Sequence, residues 1–329
     1  MAEPLNATFF AFKRRERGGV LLGATIAYIV MGLLLIASFV ALNWGSFRQL
    51  GSFFQNAASG TQPSDPSGVF AMFGIIGWLF IFLFFFYVLL AAYETACLKW
   101  MIRGQTGAGF FGLSLGADTW RVYSGYWMWF LISLAISFGI AIITMPILFA
   151  FALSGAGRNN DPTAMIGPLY LASFIRALVQ YAITAFFAVR LAPGNATSIL
   201  REKFSYFDAW KVTRGRFWAL FGSFFVLGLI WVLVTLVAFG ATGGALLVRL
   251  WPALVRAETQ PSTTASTQLM ATLFAPENIG LVGAFYASMI VTSMIFAVLF
   301  MGVNARAALA AVEDGKIEGI TPGVAKTFE

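Results

Sequence analysis

The sequence contains no histidine and a single cysteine, Cys97. No disulfide can therefore form within the chain, and a His/Cys metal site cannot be assembled. Charged residues are also scarce, at 11% of the chain compared with about 25% in an average soluble domain. A general base would have to come from the 14 acidic residues, nearly all of which lie outside the apolar segments. These shortages predict a chain without a metal site, a cofactor or an assembled catalytic centre.

Apolar residues are abundant instead. Hydrophobic residues make up 59% of the chain and include 35 Phe and 10 Trp, which indicates that a bilayer is its solvent. The net charge of +7 would suit a nucleic-acid partner, but the basic residues flank apolar runs. That placement is typical of topology signals and headgroup contacts. We therefore expect membrane lipids, including anionic phospholipid, as partners and no nucleic acid.

Six long runs are free of charge or interrupted by one charged residue. A spanning helix needs about 20 apolar residues, so each run suffices for one span and none for two. The sequence thus predicts an all-α integral membrane protein with six transmembrane helices, forming one domain over residues 1–329 with a C-terminal tail at 316–329. The runs are 18–47, 66–93, 122–157, 162–189, 217–248 and 278–305.

Basic residues are unevenly distributed among the connections. Of the 21 Lys and Arg residues, 16 fall in the N-terminus, the second and fourth loops and the C-terminus. Four fall in the first, third and fifth loops, and Arg176 is the remaining one. Because basic loops stay in the cytoplasm, this distribution predicts a multi-pass inner-membrane protein with both termini in the cytoplasm.

The second and fourth loops end in similar sequences. DTWRVYSGYW at 118–127 and DAWKVTRGRF at 208–217 share Asp-x-Trp-basic-Val-x-x-Gly-x-aromatic, and each leads into a span. The pattern favours internal repeats of two spans each, over 1–105, 106–195 and 196–315. The alternative is that helices entering from the cytoplasm attract Trp and basic residues at the interface. The sequence leaves both interpretations open.

The same loops predict short amphipathic helices at the cytoplasmic surface. Phe204, Phe207 and Trp210 recur at helical spacing, and basic residues occupy other positions. Such segments lie in the interface plane and attract anionic headgroups by about 1 kcal/mol per Lys or Arg. Asp208 is a candidate cap for the helix beginning at Trp210. The residues expected at the headgroups are Lys13, Arg14, Arg15, Trp120, Arg121, Lys203, Trp210, Lys211 and Arg214.

Arg176 lies near the centre of its apolar run, where an arginine costs about 2.5–3.5 kcal/mol on insertion scales. Ser173, Gln180 and Thr184 share its helical face and complete a polar stripe on the fourth helix. The stripe predicts a cavity, a ligand site or a partner helix, or else an arginine bonded to backbone carbonyls. Glu94, the best acidic candidate, ends the second helix about 15 Å from mid-membrane, so Arg176 has no obvious acceptor.

The two matched loop sequences resemble the aromatic-basic lead-ins of bacterial six-helix inner-membrane proteins of largely uncharacterised function. That group includes the membrane domain fused to some glycerophosphodiester phosphodiesterases. The resemblance implies an inner-membrane protein connected with lipids, and it implies no activity. The residues that carry it are Asp118, Trp120, Arg121 and Gly125, with Asp208, Trp210, Lys211 and Gly215.

Three functions follow as alternatives. The first is a non-enzymatic protein that binds lipids or scaffolds a membrane complex, with a protein partner or as a homo-oligomer. The second is a transporter, channel or permease subunit whose polar path is lined by the fourth helix. The third is an intramembrane enzyme using Glu94, Asp118 or Asp208, the acids closest to the cytoplasmic interface. We expect the first.

Overall fold

A computed structural model describes residues 7–12, 19–58, 67–105, 110–156, 166–259, 272 and 275–318. Over these residues the chain is helical and forms no strand. The predicted headgroup residues Lys13, Arg14 and Arg15 lie outside the described residues. The α-helices are α1 (Gly19–Leu42), α2 (Trp44–Ala58), α3 (Ser67–Arg103), α4 (Ala117–Ala156), α5 (Ile166–Leu191), α6 (Gly194–Leu200), α7 (Ala209–Val212), α8 (Phe217–Ala238), α9 (Gly244–Thr259) and α10 (Pro276–Glu313).

Six helical stretches are long and apolar enough to cross a membrane, which confirms the predicted class. A span must be helical because lipid offers no hydrogen-bonding partner for free backbone groups. Large apolar side chains are exposed along these stretches, as expected where lipid is the solvent. The stretches are Leu21–Leu42, Gly68–Arg103, Ala117–Pro146, Tyr170–Leu200, Phe217–Pro252 and Asn278–Glu313. The chain is therefore an all-α polytopic membrane protein.

Several helices extend beyond the charge-free runs that predict them. Helix α3 continues past Tyr93 to Arg103, and α10 continues to Glu313. In the α3 extension, Lys99 and Arg103 pair with Asp118 of α4, at 2.9 and 3.0 Å. In the α10 extension, Arg306 and Glu313 pair with each other at 2.7 Å. Ion pairs thus accommodate these charges beyond the apolar part of each helix.

The first polar loop contains a helix that the sequence analysis did not predict. Asn43 forms the turn after α1, and the chain then enters α2. Helix α2 packs along α3, and the Phe47 ring lies 6.2 Å from the Phe39 ring of α1. Within the fifth span, a π-helical turn at Phe239–Gly243 joins α8 to α9. Packing of apolar side chains against the neighbouring spans stabilises helix where composition alone predicts loop.

The buried core is concentrated at one end of the bundle. This end, here called the basic end, comprises residues 91–105, 110–126, 189–227 and 296–317, where α3, α5 and α10 end and α4 and α8 begin. Elsewhere burial is sparse, since buried residues make up only 6% to 22% of the apolar windows of the spans. The largest fully buried side chains at the basic end are Tyr93, Thr95, Leu98, Met101, Ile102, Val122, Ile199, Val212, Leu220, Leu227 and Val303.

Candidate functional site

Glu94 lies inside the basic end, on the extension of α3. Glu94 is only 5% exposed, which is unusual for an acidic residue. Ala91 and Ala92, one turn earlier, are also buried. Small side chains let neighbouring helices approach closely, and α3 here packs against α4, α6 and α10. The extension therefore carries the Glu94 carboxyl group into the bundle. The sequence analysis had placed this group at the end of the helix.

Two neutral side chains bind the Glu94 carboxyl group. The Tyr126 hydroxyl donates a hydrogen bond to Oε2. The Asn195 amide Nδ2 donates to both carboxyl oxygens, at 3.2 and 3.1 Å. Among the ion pairs of the described residues, none involves Glu94. A buried acid is thus hydrogen-bonded without a positive charge from the described part of the protein.

Two glycines make this arrangement possible. A Cβ on Gly125 of α4 would lie 2.0 Å from Asn195 Oδ1. A Cβ on Gly194, the first residue of α6, would lie 2.6 Å from the Tyr206 ring. Helix α6 follows Pro193, which cannot donate a backbone hydrogen bond, and all seven of its residues are buried. The absence of side chains at 125 and 194 lets α6 press Asn195 against α4.

A cavity of 380 Å³ adjoins Glu94 in the bundle. Its volume falls within the range of about 300–1,000 Å³ that is typical of small-ligand sites. Helices α3, α4, α5, α6 and α10 all contribute to its wall, so the cavity exists only in the assembled bundle. The residues lining it are Glu94, Gly125, Tyr126, Trp129, Ala188, Leu191, Ala192, Asn195, Tyr206, Ala297, Phe300, Met301 and Asn304.

The cavity lining includes one carboxyl group and several neutral polar residues. Glu94 is the one Asp, Glu, Lys or Arg residue among the described residues that line it. The buried oxygens Asn195 Oδ1 and Asn304 Oδ1 accept no hydrogen bond within the described part of the chain. Burial and the neighbouring Glu94 charge raise the pKa of Tyr206, so its hydroxyl keeps its proton. The lining can therefore receive hydrogen bonds and balance a positive charge.

A cluster of ion pairs lies next to this cavity and centres on Asp118. Its carboxylate pairs with Lys99 at 2.9 Å, with Arg103 at 3.0 Å and with Arg121. Arg103 also donates a hydrogen bond to the backbone oxygen of Ile199 in α6. The predicted headgroup residue Arg121 is thus engaged within the protein. The cluster joins α3, α4 and α6 and fixes the geometry around Glu94.

Asp208 forms a second cluster of ion pairs. The sequence predicts it as a helix cap, but it does not cap α7. Its carboxylate pairs with Arg201 and, at 3.0 Å, with Lys211. Its side chain makes no capping hydrogen bond to α7, because the carboxylate oxygens bind these cations instead. Lys211 remains 68% exposed in its side chain, so it is still accessible to a headgroup.

In the fourth loop, the segment for which the sequence predicts one amphipathic helix is divided into shorter elements. Residues 201–205 form a turn, Tyr206–Asp208 a 3₁₀-helix and Ala209–Val212 the four-residue helix α7. Lys203, Phe204 and Phe207 are exposed on it. An amphipathic interfacial helix in this loop stays a prediction.

The aromatic and basic residues predicted at the headgroups have mixed surroundings. Trp120 is 54% exposed and packs edge-on against Tyr123. Trp210 is 42% exposed, and the guanidinium of Arg190 lies 5.1 Å from its ring centroid. Arg214 is exposed, and its backbone oxygen accepts a hydrogen bond from Lys316. Both tryptophans therefore have one face inside the protein and one face outside it.

The two matched sequences adopt different local structures. Asp118 begins the long helix α4, and Gly125 lies inside it. Asp208 precedes a four-residue helix, and Gly215 follows in a turn with φ of +79°. The shared glycine thus permits close helix packing in one copy and a left-handed turn in the other. A common origin of the repeat units stays a prediction.

The polar stripe of α5 does not reach the cavity. Gln180 donates a hydrogen bond to Ser137 of α4 at 3.3 Å, so one member of the stripe contacts a neighbouring helix. Arg176 is half-buried and forms no hydrogen bond or ion pair with another described residue, whereas Ser173 is exposed and Thr184 half-buried. The cavity lining on α5 begins at Ala188, about 18 Å along the helix from Arg176.

One pattern with a catalytic association also lies at the basic end. Residues 112–116 read GLSLG, the Gly-x-Ser-x-Gly spacing that in α/β-hydrolases places a serine on a strand-to-helix turn. Here Ser114 lies between two helices in a chain without histidine. Its hydroxyl accepts a hydrogen bond from Lys99 at 3.4 Å, and Lys99 pairs with Asp118. A paired ammonium is a hydrogen-bond donor and cannot act as the base for Ser114.

Comparisons with protein-family models, curated proteins and solved structures found no match to this chain. The resemblance carried by the lead-in motifs therefore stays a prediction.

Sequence reasoning considered Glu94 as a distant partner for Arg176 and as one of three acids for catalysis, and it did not single out Asn195. It did not single out Tyr126 or Asn304. Each is a polar side chain within or beside an apolar run, and that is the one signal available from sequence. Which of these polar residues contact one another depends on how each helix is rotated about its axis and on where α6 lies in the bundle.

Proposed function

We propose that the chain is a non-enzymatic, multi-pass inner-membrane protein that binds lipid in the cavity beside Glu94. In this proposal the basic end and both termini face the cytoplasm, in keeping with the distribution of basic residues. The observation that carries it is the 380 Å³ cavity, which is built from five helices and lined by Glu94 together with apolar and aromatic residues. A cavity of this kind is the default candidate for a ligand site.

A lipid suits the position and the lining of the cavity. Trp120 and Trp210 are half-exposed at the basic end, and amphipathic aromatic residues gather at headgroup depth. Trp129, Phe300 and Met301 give the wall an apolar part beside the polar one. A headgroup would contact the polar part, and the first carbons of the lipid would contact the apolar part.

The acidic residues support a binding role over catalysis. Of the three acids weighed for catalysis, Glu94 lines the cavity. Asp118 and Asp208 are each held by at least two cations. A carboxylate that is occupied by ion pairs is poorly placed to accept a proton from a substrate.

Arg176 supports an external partner for the far part of the bundle. Its guanidinium has no acceptor among the described residues, and the bilayer interior offers no water. A lipid phosphate, a protein partner or a second copy of the chain would supply that acceptor. We place this contact on α5, separate from the cavity.

Transport is the second candidate, and the location of the cavity favours it. The cavity lies between spans, as substrate sites do in many transporters. A path through the bundle would also need to include the polar stripe of α5. The lining ends about 18 Å short of Arg176, so binding is the function that we propose first.

The experiment is native mass spectrometry on protein extracted gently with its own lipids. Wild type is compared with Ala297→Trp, which fills the cavity, and with Ala287→Trp, which places the same ring on the exposed face of the same helix. We expect wild type and Ala287→Trp to retain a lipid that Ala297→Trp loses. Equal retention by all three would contradict the proposal, provided that each elutes as one folded species.

A further inference from the structure

We infer that the cavity binds a protonated amine, with the Glu94 carboxylate as its counter-ion. This inference rests on the proposed function and names the chemical class of its ligand. The amine belongs to an aminophospholipid headgroup or to a free small molecule, and the recognised group is the same ammonium in both.

The charge balance of the site points to a cation. Glu94 is buried and lacks an ion-pair partner among the described residues. A buried carboxylate without a positive partner is costly, because hydrogen bonds from neutral donors do not replace its lost hydration fully. The nearby cations Lys99 and Arg103 are held by Asp118 and do not line the cavity. An ammonium in the cavity would supply the missing charge.

The hydrogen-bonding capacity of the lining points the same way. Asn304 Oδ1 and Asn195 Oδ1 are buried acceptors that receive no hydrogen bond from a described residue, and Asn195 is only 9% exposed. Both asparagines and Glu94 belong to residues that line one cavity. An ammonium has three donors and no acceptor, so it fits a set of oxygens and not a set of donors. A phosphate or carboxylate ligand would place a second negative charge beside the Glu94 carboxylate.

Aromatic residues complete the wall. Tyr126, Trp129, Tyr206 and Phe300 all line the cavity. Aromatic faces attract cations, and the attraction grows where water is excluded. The Tyr87 ring stacks on the Tyr126 ring at 5.5 Å, and Phe204 stacks on Tyr206 at 6.4 Å. These stacked neighbours restrict the lining rings, which lowers the entropy that ligand binding would remove.

The test measures lipid binding to delipidated wild-type protein by native mass spectrometry. The probes are phosphatidylethanolamine, the same lipid with its amine acetylated, and phosphatidylglycerol with the same acyl chains. We expect phosphatidylethanolamine to bind about tenfold to a hundredfold more tightly than either control lipid, since both lack the ammonium. Equal binding of the three lipids would overturn the inference.

Variants locate the effect at Glu94. Glu94→Gln keeps the shape and removes the charge, and we expect it to lose the preference for phosphatidylethanolamine. Glu94→Asp keeps the charge, and we expect it to retain part of the preference even though the carboxylate is displaced. Glu313→Gln removes a charge from an exposed position at the same end, outside the Asp118 cluster, and should behave as wild type. An unchanged preference in Glu94→Gln would overturn the inference.

Further measurements distinguish a lipid ligand from a free amine. They also distinguish failure of this inference from failure of the proposed function. Free ethanolamine that displaces phosphatidylethanolamine indicates that the ammonium alone suffices, whereas failure to displace it assigns the ligand to the lipid. A protonated carboxyl band in amine-saturated wild type that is absent from Glu94→Gln would contradict a Glu94 counter-ion. Loss of lipid in Ala297→Trp without any amine preference would leave the proposed function standing and remove only this inference.

Discussion

The basic end of the bundle and the halves of the spans opposite to it, here called the far end, differ in what holds them together. At the basic end Glu94, Asp118 and Asn195 are buried and joined by hydrogen bonds or ion pairs across helices. At the far end large apolar residues such as Phe138 and Leu171 are more than half exposed. The far-end helices are therefore stabilised mainly by lipid, and the basic end by specific contacts. Ligand specificity belongs where side-chain positions are fixed.

The largest expected effect comes from removing the charge that joins three helices. Asp118→Asn would leave Lys99, Arg103 and Arg121 without their shared anion. We expect the free energy of unfolding in a detergent titration to fall by about 3 kcal/mol, since breaking a buried pair leaves uncompensated charge. Asp314→Asn, which removes a more exposed anion near the end of α10, should cost less than about 1 kcal/mol.

Cys97 provides an independent readout of this prediction. It is the single cysteine and is fully buried at the basic end. A maleimide dye should therefore label Asp118→Asn faster than wild type, because labelling requires the basic end to open. An unchanged labelling rate would show that the ion pairs do not hold this end closed.

A smaller effect should follow from adding one methyl group to α4. Gly125→Ala would force Asn195 away from its present position, since the new Cβ would lie 2.0 Å from Oδ1. We expect a loss of about 1–3 kcal/mol in unfolding free energy and weaker lipid retention. Gly139→Ala is the matched control on the same helix, where a Cβ meets nothing within 4 Å. There the helix propensity of Ala should leave stability unchanged or raise it.

The smallest effect is expected at the far end. Arg176→Leu removes a cation that makes no hydrogen bond or ion pair with the described residues. We expect the free energy of unfolding to change by less than about 0.5 kcal/mol and lipid retention in the cavity to stay as in wild type. A marked loss of stability would mean that Arg176 is bonded inside the bundle, and the contrast between the two ends would then fail.

The number of spans could be predicted from sequence because it depends on composition alone. Six runs long enough to cross a bilayer become six helices, because an isolated segment in lipid can pair its backbone N–H and C=O groups only as a helix. The bounds were less accurate. Charged residues follow Tyr93, yet α3 continues to Arg103, since its apolar residues are buried in the core and Asp118, 15 positions beyond Arg103, pairs with Lys99 and Arg103.

The candidate site was decided by tertiary structure. Glu94 and Asn195 are 101 positions apart and meet through the buried helix α6, whose placement requires glycine at 125 and 194. The sequence by itself determined a six-span helical membrane protein with its charges at one end, because hydrophobicity and length act locally along the chain. It could not determine which polar side chains share one cavity, because that depends on the rotation and contact of helices that are distant in sequence.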